Sequence, residues 1–514
     1  MQRMKTQLSQ GLSRRDFLKL ISLTPISIFA RPLSNLAAAV NGDTPNFIII
    51  VFDAWSASNV SLYGYPRQTM PHLERFAENA TVYHNHFSAG TFTVPGTSSL
   101  LTGLHPWSHR AFQLGAGIIA EHVDHTIFSA LAATHATLGY AQNQLADQLL
   151  YQTDHYLDTH ILNGSLNVQN NLVYSAPIFK KDAHLAFASF EDKIFQKGVG
   201  YDSSLFLGPL YRLYILRDRL RQTIKYGDNY PRGLPDTVEL FVLDDVVNGA
   251  IKILKHIQGP TLAYLHFHPP HNPYNPTQEF FGKFAKGWLP PDKSVHPLSG
   301  EINKKSLRKQ RRFYDEYIAS WDSEVTRLFQ FLKESGLTEN SYIFVTSDHG
   351  ELFERGELGH WTPLLYNPVV HVPLIVSRPG QKIREDIYTF TSSVDILPTA
   401  AHLSGNPIPA WAEGKPLPGL GGENRDARSV FSMDAKTNSS FTPLVNFSIS
   451  ITRDHHRLAY YNYPKQDYKK YEFYDLNTDA HELKDLYSSN PALAIEMKDE
   501  LLQKIEEINR PYRR

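Results

Sequence analysis

Three runs of apolar residues stop abruptly on polar side chains. Residues 47–52 (FIIIVF) run into Asp53, residues 261–267 (TLAYLHF) into His268-Pro269-Pro270-His271, and residues 342–346 (YIFVT) into Ser347-Asp348-His349-Gly350. Near-continuous apolar runs of this length suit strands covered on both faces of a parallel sheet. In open sheets of that kind ligands bind beyond the carboxyl ends of the strands, so the three polar endings are expected to converge. Between the runs the apolar period changes. Residues 304–335 place Tyr314, Ile318, Trp321, Val325, Leu328 and Leu332 three and four residues apart, which predicts a long amphipathic helix. A shorter helix is expected after Thr69, with Leu73, Phe76 and Ala77 inward. Strands alternating with helices predict a doubly wound α/β sheet.

The pattern weakens at residues 406–424 (NPIPAWAEGKPLPGLGGEN), which are too rich in proline and glycine for regular structure and are expected to act as a linker. It divides a main domain over 43–405 from a small α+β subdomain over 425–514. Short strands are expected there near 445–452 and 457–463, and a terminal helix over 491–508.

Composition adds three exclusions and one address. The 514 residues are 42% hydrophobic and 20% charged, which is globular rather than disordered. The formal net charge of −1 hides an asymmetry: residues 1–39 carry six basic groups against one acidic group, leaving the remainder at about −6. That argues against a nucleic-acid binder. With no cysteine, disulfides, thiolate metal sites and a cysteine nucleophile are excluded. Ser13-Arg14-Arg15-Asp16-Phe17-Leu18-Lys19 has the twin-arginine export pattern, followed by an apolar stretch over 20–30 and the small residues Ala37-Ala38-Ala39. Residues 1–39 are therefore read as a signal peptide handled by the twin-arginine translocation machinery, with a periplasmic, extracellular or envelope location for the mature chain. The apolar stretch is about half the roughly twenty residues that a spanning helix needs.

Asp53 after one buried strand and Asp348-His349 after another offer carboxylates and an imidazole, a common way to hold a divalent cation. A third element is the segment from Thr91 to Gly103 (TFTVPGTSSLLTG). Pro95 fits a first helical turn and Gly103 a helix end, which puts Thr93 at or just before the helix N-terminus. Unpaired N–H groups and the positive end of the dipole favour a phosphate or sulfate there. Thr93 also suits a plain N-cap, and the two roles are compatible. A metal touching its hydroxyl makes an alkoxide accessible near neutral pH.

With Asp53, Ser61-Leu62-Tyr63-Gly64-Tyr65-Pro66-Arg67, Met70-Pro71-His72-Leu73, Thr93-x-Pro95, Ser347-Asp348-His349-Gly350-Glu351, Gly359-His360 and Val394-Asp395-Ile396-Leu397-Pro398-Thr399, the chain resembles the sulfatase/alkaline-phosphatase superfamily. The resemblance runs from about Pro45 to Leu486. It implies an alkaline-phosphatase-like, mostly parallel sheet and an ester hydrolase or transferase. It also implies one divalent metal held by Asp53, Asp348 and His349, with the Thr93 hydroxyl as a further ligand. An imidazole ligand favours zinc or manganese over calcium. His271, in a Pro-His-x-Pro-Tyr segment, and His360 resemble active-site histidines able to protonate a leaving oxygen.

The departures are as informative. Formylglycine sulfatases carry Cys or Ser followed by x-Pro-Ser-Arg, whereas these positions read Thr93, Pro95, Gly96 and Thr97. A threonine nucleophile is similar to the phosphodiesterase, phosphonate monoester hydrolase and phosphoethanolamine transferase branch. The expected activity is thus turnover of an anionic small-molecule, lipid or glycan phosphoester through phosphothreonine, by hydrolysis or transfer. The alternatives are a sulfatase using unmodified Thr93 and a silent binder of sulfated or phosphorylated glycans. His266 reads as structural, and Asp154, His155, Asp158 and His160 as a structural surface group. Residues 304–312 read as a solvated basic face, and residues 210–226 as a packing helix rather than a lid or membrane-surface element. The oligomeric state is open.

Overall fold

In the computed structural model, which describes residues 44–166, 207–235, 240–257, 259–423, 428–489 and 491–513, the apolar runs form the middle of one sheet. The export signal read from residues 1–39 lies outside the described residues. The strands are β1 (Asn46–Phe52), β2 (Thr81–Tyr83), β3 (Ala136–Ala141), β4 (Thr159–Ile161), β5 (Thr261–Phe267), β6 (Ser341–Thr346), β7 (Leu374–Ser377) and β8 (Glu385–Ile387). Their order is β8-β2-β7-β6-β1-β5-β3-β4. All run in one direction except β7, which is antiparallel to both neighbours.

The longer helices are α1 (Pro71–Ala77), α2 (Thr93–Thr102), α3 (Gln144–Gln152), α4 (Leu207–Tyr226), α5 (Leu243–Leu254), α6 (Lys304–Glu334), α7 (Ile396–Leu403) and α8 (Ala492–Asn509). β1 shows why the central strands are apolar throughout. Ile48, Ile50 and Phe52 enter a core with α1, α5 and α6, while Phe47, Ile49 and Val51 enter another with α2, α3 and α7. Successive side chains point to opposite faces, and helices cover both, so no position on the strand faces water. The fold is the doubly wound sheet that the pattern predicts.

All six apolar positions expected inward on α6 are buried, and Asn303 caps the helix by accepting from Ser306 N at 2.9 Å. Its basic first turns are not wholly a solvated face. Arg311 is buried and donates to Glu354 Oε2 at 3.0 Å, while Lys304 and Arg308 pair with Asp292 at the surface.

The C-terminal part is an antiparallel sheet of β9 (Val430–Asp434), β10 (Phe447–Arg453), β11 (His456–Tyr463) and β12 (Tyr468–Asp475), with Met497 and Leu501 of α8 packed on Ile449, Ile451 and Leu458. Residues 406–423 hold no helix or strand, yet they are no loose tether. Leu417 and Leu420 are buried in the same core as Phe47 and Ile49. Glu413 accepts from His105 N at 2.6 Å and Trp107 Nε1 at 3.1 Å. Proline and glycine prevent a regular ladder but still allow apolar side chains to reach a core.

Candidate active site

The carboxyl ends of β1, β5, β6 and β3 converge, as open parallel sheets require. The backbone turns sharply after β1, with Ala54 in the left-handed region at φ 58°. The Ala54 and His349 N–H groups donate to Asp348 Oδ1 at 3.3 and 3.0 Å. Ser347 Oγ donates to Phe52 O at 2.6 Å and accepts from Trp55 N at 2.9 Å, tying the ends of β1 and β6 together.

Thr93 is the first residue of α2, and the cap position belongs to Phe92. Its hydroxyl is therefore not a cap, and it points at the carboxyl-end cluster. Thr93 Oγ1 lies 3.4 Å from His349 Nε2 and 3.4 Å from Asn143 Nδ2. Gly96 allows this approach: a side-chain carbon there would overlap the Asp348 backbone carbonyl. Gly103, at φ 67°, ends the helix.

Asp53, Asp348 and His349 are completely buried, and one ligand atom from each lies within 4.8 Å of the others. His349 Nε2 is 3.3 Å from Asp53 Oδ1 and 3.5 Å from Asp348 Oδ2. His349 Nδ1 faces Gly350 O at 2.9 Å, an acceptor only, so the neutral ring carries its proton there and turns the Nε2 lone pair toward the carboxylates. Two buried carboxylates and an imidazole, with Asp53 Oδ1 lacking a hydrogen-bond partner, fit a divalent cation. Among the described residues this is the one such group.

The charges are strongly coupled. Burial, and then the Asp53 charge, raise Asp348 above its ordinary range. Burial also acts to raise Asp53, but the His271 charge and then the close imidazoles of His266 and His349 hold it well below. Against the lowering effect of burial, Asp348 and Asp53 push His349 up to about 9.

Two residues of the site were not expected from sequence. His266, read as structural, is buried with Nε2 3.5 Å from Asp53 Oδ2 and 3.7 Å from Asp348 Oδ2, and that nitrogen has no hydrogen-bond partner. It belongs to the site because the register of β5 against β1 sets it opposite Val51, two residues before Asp53. Asn143, the cap of α3, donates to Asp53 Oδ2 at 2.5 Å while its own carbonyl oxygen accepts from Leu145 N at 2.8 Å. An asparagine after a buried strand was the only signal.

The structure brings His271 and His360 together. Their rings are 4.8 Å apart, His268 lies 4.6 Å from His271, and His360 lies 4.4 Å from His349. His360 Nδ1 faces both oxygens of buried Glu351 at 3.2 Å. The group at 154–160 is not a plain surface cluster: the side chain of His160 is covered between Asp147 and Asp154, 2.9 Å from an oxygen of each. It bridges α3 to the following turn and stands apart from the carboxyl-end residues named above.

A family model described as Sulfatase matches residues 45–406, and one described as N-sulphoglucosamine sulphohydrolase, C-terminal, matches residues 356–510. The chain is similar to the multifunctional alkaline phosphatase superfamily protein PehA of Trinickia caryophylli, at 22% identity over 503 residues, covering 88% of this chain and 93% of that one. An ulvan-active sulfatase of Formosa agariphila is 21% identical over 376 residues, 73% of this chain and 64% of its own. The fold is similar to the phosphonate monoester hydrolase of Agrobacterium radiobacter, with TM-score 0.63 and 18% identity, covering 90% of this chain and 96% of that one. It is equally similar, at TM-score 0.63 and 16% identity, to a protein solved with its substrate D-glucosamine-2-N,6-O-disulfate, covering 91% and 98%.

Proposed function

Because this chain belongs to the sulfatase family of ester hydrolases, we propose that it acts on anionic phosphoesters through a phosphothreonine at Thr93. The observation that carries this reading is the placement of Thr93 Oγ1 in the first turn of α2, 3.4 Å from His349 Nε2 and beside two buried carboxylates. The residue that a formylglycine sulfatase converts is replaced here by one whose β-carbon already bears a methyl group.

Asp53, Asp348 and His349, with the Thr93 hydroxyl, would hold one divalent cation, zinc or manganese rather than calcium. When bound it supplies Lewis-acid activation and positive charge at the transferred group. The backbone N–H groups at the start of α2 bind the anionic oxygens. Thr93 Oγ1 bonds to phosphorus as the bond to the leaving oxygen breaks, and its proton passes to solvent. His360 or His271 gives the leaving oxygen a proton. Burial first, then the nearby His349 and His271 charges, oppose protonation of His360, while Glu351 favours it; the net position is below the ordinary imidazole range, which makes its imidazolium a stronger acid. Water or an acceptor hydroxyl then releases the phosphoryl group. Asn143 holds Asp53 while the rest of its side chain caps α3.

The substrate class proposed is a small-molecule, lipid or glycan ester. Ser13 to Lys19 support export by the twin-arginine translocation machinery to the periplasm, cell surface or medium. Sulfate-ester hydrolysis by unmodified Thr93 is the second reading, favoured by the two matching family models. Aryl phosphate diesters, aryl phosphonates and aryl sulfates, assayed on zinc- or manganese-loaded protein under one set of conditions, separate the two. A sulfate kcat/KM above that of every phosphorus ester would overturn the phosphoester reading.

A further inference from the structure

Helix α4 turns an apolar side to water. Leu213, Leu216, Leu220 and Ile224 are 65%, 52%, 63% and 76% exposed. On a helix of 3.6 residues per turn they fall in one stripe about 80° wide. The partly covered positions Arg219, Gln222 and Tyr226 lie on the far side. Exposed Arg217, Arg221 and Lys225 line one flank of the stripe. A helix that only packs against its own protein places its apolar stripe inward, so this arrangement calls for a partner.

A second patch of the same character follows closely. Six residues beyond the helix end, the Arg232 guanidinium lies 5.1 Å from the ring of Phe281, which is 48% exposed, and also covers Phe313. Exposed Lys309 is 5.4 Å from the Phe313 ring, and exposed Lys283 is two residues from Phe281. Six residues span at most about 21 Å, so the patches are less than the length of α4 apart.

We propose that α4 attaches this protein to the surface of a bilayer containing anionic lipid. The helix lies in the interface with its four apolar side chains at the acyl boundary and Arg217, Arg221 and Lys225 against lipid phosphates. No helix among the described residues is long and apolar enough to cross a membrane, so the contact is to one face. The flanking cations select this occupant over a second copy of the chain. An antiparallel two-fold contact through the stripe would set the cationic flanks of both copies on the same side. The inference is independent of which ester the active site takes.

The chain contains no cysteine, so Leu220→Cys accepts a single environment-sensitive fluorophore, with Ile383→Cys, 76% exposed, as the reference position. The full chain is mixed with vesicles of phosphatidylcholine alone or phosphatidylcholine with phosphatidylglycerol. The label at 220 should shift to the blue and be quenched by spin-labelled acyl chains on the anionic vesicles, while the label at 383 stays water-like. Adding Arg217→Gln and Arg221→Gln should weaken partitioning on the order of twentyfold. A 220 label that remains water-like, or equal shifts at both positions, would overturn the proposal. So would a lipid-free shift that grows with protein concentration, which would assign the stripe to a second copy.

Discussion

The carboxyl edge of the parallel sheet and the seam between the two sheets bury charge with equal thoroughness, but they treat it in opposite ways. At the seam, Arg457 Nη1 donates to Glu482 Oε1 at 2.6 Å and Leu365 O at 3.3 Å, Nη2 donates to Asn367 Oδ1 at 2.7 Å, and Nε donates to Thr452 Oγ1 at 3.2 Å. The other Glu482 oxygen accepts from Asn367 N at 2.9 Å. At the carboxyl edge, Asp53 and Asp348 carry like charges into the interior, and Asp53 Oδ1 and His266 Nε2 have no hydrogen-bond partner. A buried charge without its partners costs several kcal/mol, so the edge persists because the surrounding strands enforce it. Between the Arg457–Glu482 cluster and the Asp53–Asp348 cluster, the difference lies in how the charges are partnered, since both are buried.

The largest effect expected is on chemistry. Thr93→Ala should lower kcat on an aryl phosphate diester by on the order of 10³-fold or more. Its thermal midpoint should hardly move, because the cap position is Phe92. Substantial turnover by the alanine variant would mean that another group is the nucleophile.

At the seam the cost should fall on stability instead. Glu482→Ala leaves a buried guanidinium without its counter-charge and should destabilise the protein by about 3–5 kcal/mol. Calorimetry beside kinetics checks this, with the cation-loaded variant keeping its kcat at temperatures where it is folded.

Asp348→Asn should have the opposite sign. In chelator-treated protein, removing one of two repelling carboxylates should raise stability by about 1 kcal/mol, since Asn keeps the acceptor for Ala54 and His349 N–H. Added zinc or manganese should stabilise the native chain, and the same variant should lose that gain. A chelated variant less stable than the chelated native protein would place Asp348 among the satisfied structural groups.

The smallest effect concerns pH. Burial tends to raise Glu472, but the nearby His296 imidazole and hydrogen bonds from Lys470 and Tyr366 outweigh it and hold the carboxyl down to about 2. A depressed carboxylate stabilises the fold above its ordinary value of 4.5, and that contribution is lost as pH falls toward 2. Melting curves of the native protein and Glu472→Gln should therefore differ at pH 6 and approach one another in acid. A constant offset across that range would show that the hydrogen bonds are not charge-assisted.

Much of this was legible in the chain itself because the signals were local. The apolar runs at β1, β5 and β6 fixed buried strands, and the three-and-four spacing from Tyr314 to Leu332 fixed α6. The polar residues that end those strands named Asp53, Asp348 and His349. Pro95 and Gly103 bracketed the helix that carries Thr93. The outer strands of the C-terminal sheet were not legible: β12 reads YKKYEFYD, in which charged side chains interrupt the apolar alternation. Only the tertiary structure decided what depends on register across the sheet. His266 is one histidine among several in the sequence, and it becomes a site residue because the pairing of β5 with β1 sets it beside Asp53. Asn143 reaches Thr93 because β3 lies next to β5, two strands from β1. The proline- and glycine-rich residues 406–423 join the main core because Leu417 and Leu420 find space beneath the sheet. Sequence spacing encodes what lies within one element, whereas contacts between side chains dozens to hundreds of residues apart exist only once the strands have chosen their neighbours.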